Sequence, residues 1–166
     1  MHDFYDTLAF DAQLTIDSGY YDNNNDVDCF APASCLHLSL KRAILECRKN
    51  SVIAEIKRAS PVFGVIRDSN KEDLLEIAKA MERGGAVAIS VLTEPKHFKG
   101  SIDTLSMVRK VVRRPLLMKD IILSPAQIRA AVNFGADAVL LIKTLYDRGY
   151  GEISLDSMIE HVHLNG

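Results

Sequence analysis

Short apolar runs alternate with amphipathic stretches along most of the chain, and this alternation predicts its secondary structure. Four compact runs of β-branched and aliphatic residues have the length and continuity of buried strands. They cover residues 51–57, 86–93, 115–120 and 137–142. The stretch after each run carries apolar residues at helical spacing, which predicts a helix. These four helices cover residues 71–83, 101–113, 124–134 and 154–163.

Capping residues and glycines mark the ends of these helices. Ser101 and Ser124 stand where N-caps belong, and Pro125 occupies the first position of its helix. Gly84 and Gly135 stand where helices stop. Strand–helix units repeated in this way predict an α/β fold with a parallel sheet and right-handed crossovers. A doubly wound sheet and part of a (β/α)8 barrel both fit, and no GxGxxG motif or P-loop supports nucleotide binding.

The first part of the chain has a different character. Residues 3–17 predict a short helix, residues 18–35 a polar loop, and residues 40–49 a helix capped by Ser39. Residues 1–35 hold seven aspartates and no Lys, Arg or Glu, which leaves 20 basic and 15 acidic residues in the remainder. A basic main body suits an anionic small substrate, although solvated surface charge explains the same balance. No dense basic patch points to nucleic acid.

The overall composition is that of a folded domain. The chain has 166 residues, of which 48% are hydrophobic and 25% are charged, which excludes an intrinsically disordered chain. No apolar run approaches the roughly 18 residues of a membrane span, and the acidic N-terminus has no basic signal-peptide region. Three cysteines without a CxxC pair indicate the reducing cytoplasm and no zinc site.

Charged residues stand at the ends of two predicted strands, where parallel α/β folds bind their ligands. Glu55 and Lys57 are two positions apart and therefore share one face of the first strand. Lys119 ends the third strand, so two lysines converge on one rim and form a potential anion site. A lysine at such a rim can act as a general acid. For Glu55 and Lys57, the alternatives are an ion pair that closes the strand ends or a first strand that frays into solvent. For Lys119, the alternative is a solvent-exposed residue at the start of a loop.

The loops after the first two strands add further candidates. Ser60 and Pro61 follow Lys57 in a short polar loop of the kind that can hold phosphate, although Ser-Pro is also a common turn. Phe98 lies in the loop after the second strand, as an apolar wall for a ligand or as a packing residue of the loop itself. The five histidines show no metal-binding spacing.

Four segments in this order resemble one enzyme family. They are IAEIKRASP (53–61), AISVLTEPKHFKGS (88–101), PLLMKDIILSPAQI (115–128) and GADAVLLI (135–142). Their residues and spacing are similar to those of indole-3-glycerol phosphate synthases. The resemblance implies a parallel α/β fold of the TIM-barrel type, truncated to about the first four βα units. It places a helical extension and loop in residues 1–50 and the first half of the barrel in residues 51–166.

The resemblance also implies roles for individual residues. Lys119 matches the general acid that protonates the substrate's carbonyl oxygen, Glu55 the glutamate that assists proton handling, and Lys57 a lysine that binds anionic groups. These three are the catalytic candidates. The substrate-binding candidates are Lys57, Ser60, Pro61, Phe98 and Leu140. One departure is Ile121, where the family usually has phenylalanine, which loosens the packing around the substrate's aromatic ring.

The implied reaction belongs to tryptophan biosynthesis. It closes the pyrrole ring of 1-(2-carboxyphenylamino)-1-deoxyribulose 5-phosphate, releases carbon dioxide and water, and yields indole-3-glycerol phosphate. The resemblance implies a carboxy-lyase that needs no cofactor and no metal. Its only implied partner is the phosphorylated small-molecule substrate, with no nucleic acid and no membrane.

The length of the chain adds an expectation, because a complete (β/α)8 barrel typically needs about 250 residues. The family's general-base glutamate, an asparagine and the main phosphate loops belong to later strands. We therefore expect this chain alone to be inactive or very weak. Open edges of the first and fourth strands would favour self-association, so a half-barrel assembly stays an alternative. Another phosphate-binding barrel, such as phosphoribosylanthranilate isomerase, is a third, disfavoured because the first strand ends without cysteine.

Overall fold

The computed structural model describes residues 3–22, 38–66 and 70–166. The strands along the chain are β1 (Ile53–Ile56), β2 (Ala59–Ser60), β3 (Gly64–Val65), β4 (Ala88–Leu92), β5 (Leu116–Lys119) and β6 (Ala138–Val139). The helices are α1 (Phe4–Asp17), α2 (Leu40–Leu45), α3 (Lys71–Arg83), α4 (Ile102–Val111), α5 (Pro125–Asn133), α6 (Lys143–Asp147) and α7 (Leu155–Leu164). None of the helices in these ranges is long and apolar enough to cross a membrane.

The four predicted main strands form one parallel sheet. Its order is β1-β4-β5-β6, so each strand joins the sheet beside the strand that precedes it, apart from the small β2–β3 hairpin. In a doubly wound sheet, the direction in which successive strands are added reverses partway along the chain. In a barrel, every new strand is added beside the strand that precedes it. The order therefore decides between the two predicted architectures: these are successive βα units of a TIM-type barrel.

One face of the sheet is covered by helices. Ile89 and Val91 of β4 and Leu116 and Met118 of β5 are fully buried on this face, in the main apolar core. Leu105 of α4 belongs to the same core. Because side chains alternate along a strand, the residues between these project from the opposite face. That opposite face carries the polar groups of the site.

The helix ends follow the predicted signals. The Ser124 side chain accepts a hydrogen bond from the Ala126 N–H, and Ser101 caps α4 through the Asp103 N–H. Gly135 adopts a φ of 85°, which few other residues tolerate, directly after α5. The predicted N-caps are confirmed, and together with Gly135 they fix the residues at which α4 and α5 begin and α5 ends.

Four local features differ from the sequence-based expectation. The first helix after Ser39 ends at Leu45, because residues 46–50 turn towards β1. Residues 59–65 form the β2–β3 hairpin instead of a plain loop, and residues 143–147 form the additional helix α6. The fourth strand is only two residues long, since the pairing of β6 with β5 covers only Ala138 and Val139. Most of the predicted loop at 18–35 lies outside the described residues.

Helix α1 is attached to the end of the sheet from which the β4 and β5 loops emerge. Its buried residues Leu8 and Ala12 pack with Leu123 and Leu145. At its beginning, Arg148 forms ion pairs with Asp3 and Asp6. The N-terminal helix is therefore held both by apolar packing and by charge.

Candidate active site

Two strands bring three charged residues together at one end of the sheet. Glu55 lies in β1, Lys57 follows the end of that strand, and Lys119 is the last residue of β5. The Lys119 Nζ donates a hydrogen bond of 2.6 Å to Oε2 of Glu55. The Lys57 Nζ lies 3.2 Å from the other carboxylate oxygen, Oε1. One carboxylate therefore bridges two ammonium groups.

Strand register explains why residues 64 positions apart can meet. Glu55 is paired with Ser90 of β4, and Ser90 is paired in turn with Leu117 of β5. Lys119 lies two residues beyond Leu117 and thus on the same face, paired with Leu92. The intervening strand β4 places no charged side chain between Glu55 and Lys119, so the two side chains reach each other across it.

The site is partly open to solvent, and its charged groups together carry a net positive charge. The side chains of Glu55, Lys57 and Lys119 are 26%, 35% and 38% exposed. Burial raises the pKa of Glu55, but hydrogen bonds from Lys119 and Lys57 outweigh it and hold the pKa below its ordinary value. Glu55 is therefore ionised at neutral pH. An ionised carboxylate with two ammonium groups leaves one net positive charge, which suits an anionic ligand.

The ion pair that the sequence offered as an alternative is present in the structure. It joins Glu55 to both lysines, and it accounts for all three charged groups at the strand ends. The frayed-strand alternative for Glu55 is wrong, because Glu55 is paired within β1. An ion pair and a ligand site are compatible here, since both lysines remain accessible at the open rim.

Ser60 and Pro61 lie at the tip of the β2–β3 hairpin. The Ser60 Oγ accepts a hydrogen bond of 3.3 Å from the Val62 N–H within its own turn, and Pro61 is exposed. The Ala59 N–H donates to the Phe98 carbonyl oxygen at 3.2 Å, which ties this hairpin to the loop after β4. The structure thus places the half-buried Ser60 at the end of β2 and the exposed Pro61 in the turn that follows it.

Phe98 is partly buried and packs against the apolar cluster that includes α1. This packing leaves part of the Phe98 side chain accessible, so the structure shows the loop-packing contact and leaves a surface for a ligand. Leu140 directly follows β6 and is partly exposed. Neither side chain forms a hydrogen bond with the charged groups of Glu55, Lys57 and Lys119.

A buried carboxylate shapes the Phe98 loop, and the sequence reasoning missed it. Glu94 accepts hydrogen bonds from the N–H groups of Lys96, His97 and Phe98, at 2.9, 2.7 and 3.0 Å. Its side chain is almost completely buried, so these three bonds replace its contact with water. An acidic residue directly after an apolar strand was the available sequence signal.

Asp120 forms a second buried network behind Lys119. Its Oδ2 accepts from the Tyr21 hydroxyl at 3.0 Å and from the Thr93 hydroxyl at 2.5 Å. Its Oδ1 accepts from the Ile121 N–H at 2.8 Å. Burial raises the pKa of Asp120 to about 6, against the opposing effect of these hydrogen bonds. The network joins the N-terminal segment to the ends of β4 and β5.

A third carboxylate connects α1 with the Phe98 loop. Asp11 is buried, forms an ion pair with Lys96 and is hydrogen-bonded to His97, whose Nε2 lies 2.7 Å from Oδ2. Hydrogen bonding from Lys96 lowers the pKa of Asp11 despite some desolvation. The helix that precedes the barrel units therefore sets the position of a loop at the site.

Comparisons with known proteins agree with this architecture. A family model described as "Indole-3-glycerol phosphate synthase" matches residues 21–158. The synthase of Methanopyrus kandleri is 47% identical over 111 residues, which cover 67% of this chain and 43% of that protein. The synthase of Carboxydothermus hydrogenoformans is 51% identical over 115 residues, or 66% of this chain and 42% of that protein.

A third relative gives the same proportions. The synthase of Methanocaldococcus jannaschii is 46% identical over 117 residues, which cover 69% of this chain and 44% of that protein. The chain thus spans about two fifths of the length of the curated relatives that it matches. The family model covers most of the sheet, its helices and the charged strand ends. The chain belongs to the indole-3-glycerol phosphate synthase family.

Proposed function

We propose that this chain provides the Glu55–Lys57–Lys119 part of an indole-3-glycerol phosphate synthase active site. The substrate is 1-(2-carboxyphenylamino)-1-deoxyribulose 5-phosphate, and the reaction closes its pyrrole ring with loss of carbon dioxide and water. The observation that carries the proposal is the carboxylate of Glu55 held between two lysines at the carboxyl ends of two parallel strands. This is where barrels of this type hold their reacting groups.

Each charged residue has a distinct role in the proposal. Lys119 gives a proton from its Nζ to the carbonyl oxygen of the substrate, which makes the adjacent carbon more electrophilic for ring closure. Glu55 orients Lys119 and Lys57 and accepts or returns protons between steps. Lys57 binds the anionic groups of the substrate. The single net positive charge of the cluster supports these roles, because it draws the anionic substrate to the reacting centre.

The remaining candidates surround the charged centre in the proposal. Ser60 and Pro61 contribute to binding on the phosphate side, and Phe98 and Leu140 line the pocket of the aromatic ring. Support comes from the contact between the Ser60 hairpin and the Phe98 loop, which keeps the two regions adjacent. Ile121 is buried against the α1 cluster, so its side chain contributes to the packing beneath this pocket.

The protein acts in the cytoplasm, as its cysteine content suggests, and the phosphorylated substrate is its partner. Residues 1–50 form the extension and residues 51–166 the barrel units.

A chimera tests the proposed function directly. Residues 51–142 of this chain replace the matching residues of the Methanopyrus kandleri synthase, and product formation is followed by the fluorescence of the new indole ring. We expect the chimera to form indole-3-glycerol phosphate. Lys119→Met in the chimera should lower kcat at least about a hundredfold, because a general acid typically contributes this much or more.

Lys110→Met is the matched control. Lys110 lies in the last turn of α4 and is exposed, so its loss should leave kcat unchanged. A folded chimera that forms no product contradicts the proposal. Equal kcat values for Lys119→Met and the parent chimera contradict the role of Lys119. Normal turnover by the 166-residue chain alone contradicts the expected weak activity.

We further propose that the chain associates with a second copy of itself. The supporting observation is the position of β1 and β6 at the two ends of the sheet order, each paired on one side only within the described ranges. Val52 and Ile53 are exposed at the β1 edge, and such an edge favours strand pairing. Light scattering should give about twice the monomer mass, and Ile53→Lys should restore the monomer. A monomer at all concentrations contradicts self-association.

A further inference from the structure

A buried hydroxyl next to the charged centre lacks a hydrogen-bond partner. Ser90 lies in the middle of β4 with 3% of its surface exposed. Its Oγ makes no hydrogen bond with any part of the chain that the structure describes. Buried hydroxyl groups are almost always bonded, so an unbonded one calls for an explanation. A valine or alanine would fill this place in an apolar strand without that cost.

Strand register puts this hydroxyl beside the catalytic candidate Glu55. Ser90 is paired with Glu55 on one side and with Leu117 on the other. Neighbouring strands lie about 4.8 Å apart, and paired residues project from the same face. Ser90 therefore projects on the face of Glu55, one level below the Leu92–Lys119 pair. The charged groups that act on Glu55 are Lys119 and Lys57, and β4 adds no further charge.

The proposed reaction changes the surroundings of Glu55. When Lys119 transfers a proton from Nζ to the substrate's carbonyl oxygen, it remains as a neutral amine. Its contact with Oε2 of Glu55 then loses the attraction between opposite charges. The carboxylate keeps Lys57 but needs a second donor to stay ionised and in place. Ser90 is the uncharged donor nearest to it in the sheet register.

We propose that Ser90 is a positioning residue whose hydroxyl acts as a reserve hydrogen-bond donor to Glu55 when Lys119 is neutral or turned towards the substrate. This inference rests on the proposed function for its purpose, but its physical content concerns only Ser90 and Glu55. Before proton transfer, Lys119 and Lys57 form ion pairs with the carboxylate of Glu55, and the hydroxyl of Ser90 forms no hydrogen bond. Rotation about a single side-chain bond is enough to change the direction in which the hydroxyl donates.

A double-mutant cycle on the complete 166-residue chain tests this inference. The pKa of Glu55 is measured by NMR of carboxyl-labelled glutamate, and the signal is assigned by its loss in Glu55→Gln. Lys119→Met stands for the state without the ammonium group. Adding Ser90→Ala to Lys119→Met should raise the pKa of Glu55 by about one pH unit, which is a tenfold change in proton affinity. With Lys119 present, the same change should raise it far less.

Two further variants separate the hydroxyl from its volume. Ser90→Cys is similar in size but a weak donor, so it should raise the pKa like Ser90→Ala. Ser90→Thr retains a hydroxyl and should restore the lower value. Ser106→Ala is the control, because Ser106 is also buried but lies on α4. It should leave the pKa of Glu55 unchanged.

The outcomes are distinct from those of the chimera. Equal pKa values for Glu55 in Lys119→Met with and without Ser90→Ala overturn the role of Ser90. If the alanine variant does not fold, equal values with Ser90→Cys overturn it as well. Neither result depends on turnover, so failure of the reserve donor leaves the proposed function untouched. A chimera that forms no product refutes the proposed function. The hydrogen bond from Ser90 to Glu55 can still be tested in that case, because the pKa of Glu55 is measured without turnover.

Discussion

Asp120 makes the stability of this fold depend on pH in an unusual direction. Most carboxylates that form hydrogen bonds or ion pairs are ionised more readily in the native state than in the unfolded chain. Asp120 differs because it is almost completely buried. Burial raises its pKa to about 6 from an ordinary value of 3.8. The hydrogen bonds from Thr93, Ile121 and Tyr21 only partly compensate for the lost water. Replacing Asp120 by asparagine removes this titration while keeping the shape of the side chain.

The magnitude follows from the two pKa values. Below pH 3.8 the carboxyl is protonated in both states, and above pH 6 it is ionised in both. Between them the native state holds a proton that the unfolded chain releases, so stability falls as the pH rises. A pKa difference of about two pH units corresponds to about 3 kcal/mol, and most of this is lost between pH 4 and pH 7.

Urea unfolding followed by circular dichroism measures the effect. The free energy of unfolding is determined at half-unit steps from pH 4 to pH 7 for the parent chain and for Asp120→Asn. We expect the free energy of unfolding of Asp120→Asn, minus that of the parent chain, to increase by about 2 to 3 kcal/mol from pH 4 to pH 7. Taking the difference cancels the carboxylates whose pKa is lowered, such as Asp11 and Glu55.

A control and a refuting result complete this test. Ser157→Ala changes an exposed residue of α7 that carries no ionisable group, so its difference from the parent should stay constant with pH. If the difference for Asp120→Asn is also constant, the native carboxyl titrates like that of the unfolded chain. If the difference falls with rising pH, the hydrogen bonds dominate over burial. Either result refutes the reasoning from burial.

Three further changes should lower the free energy of unfolding measured in urea. Arg109→Met should cost about 3–5 kcal/mol, because it leaves Asp137, 5% exposed and 2.7 Å from Arg109, as a buried charge without its ion-pair partner; a loss below 1 kcal/mol would contradict this. Leu105→Ala should cost about 2–5 kcal/mol through a core cavity, and a smaller loss would show that the helices collapse into it. Gly135→Ala should cost about 1–3 kcal/mol, since φ is 85° and the new Cβ would lie 2.8 Å from Cγ of Arg109; an unchanged midpoint would show that the arginine moves freely.

Local sequence patterns determined the main elements of this protein. The apolar runs and capping serines predict the four strands of the parallel sheet and the helices α3, α4, α5 and α7, because these signals act between residues close along the chain. The same period-two rule predicts that Glu55 and Lys57 share a face. The boundary at residue 50 stays a prediction. The short hairpin and α6 escaped prediction, because they contain too few residues to show a period.

Tertiary structure alone decided which distant groups meet. The contact between Lys119 and Glu55 depends on the register of β4 between their strands, and no local pattern specifies register across a sheet. Ser90 in the sequence is one polar residue in an apolar strand, and only the register places it beside Glu55. Asp120 shows the same limit: its environment is set by Tyr21, which is 99 residues away. Burial and long-range pairing change pKa values and hydrogen bonding, so the chemistry of the site emerges only when the chain is folded.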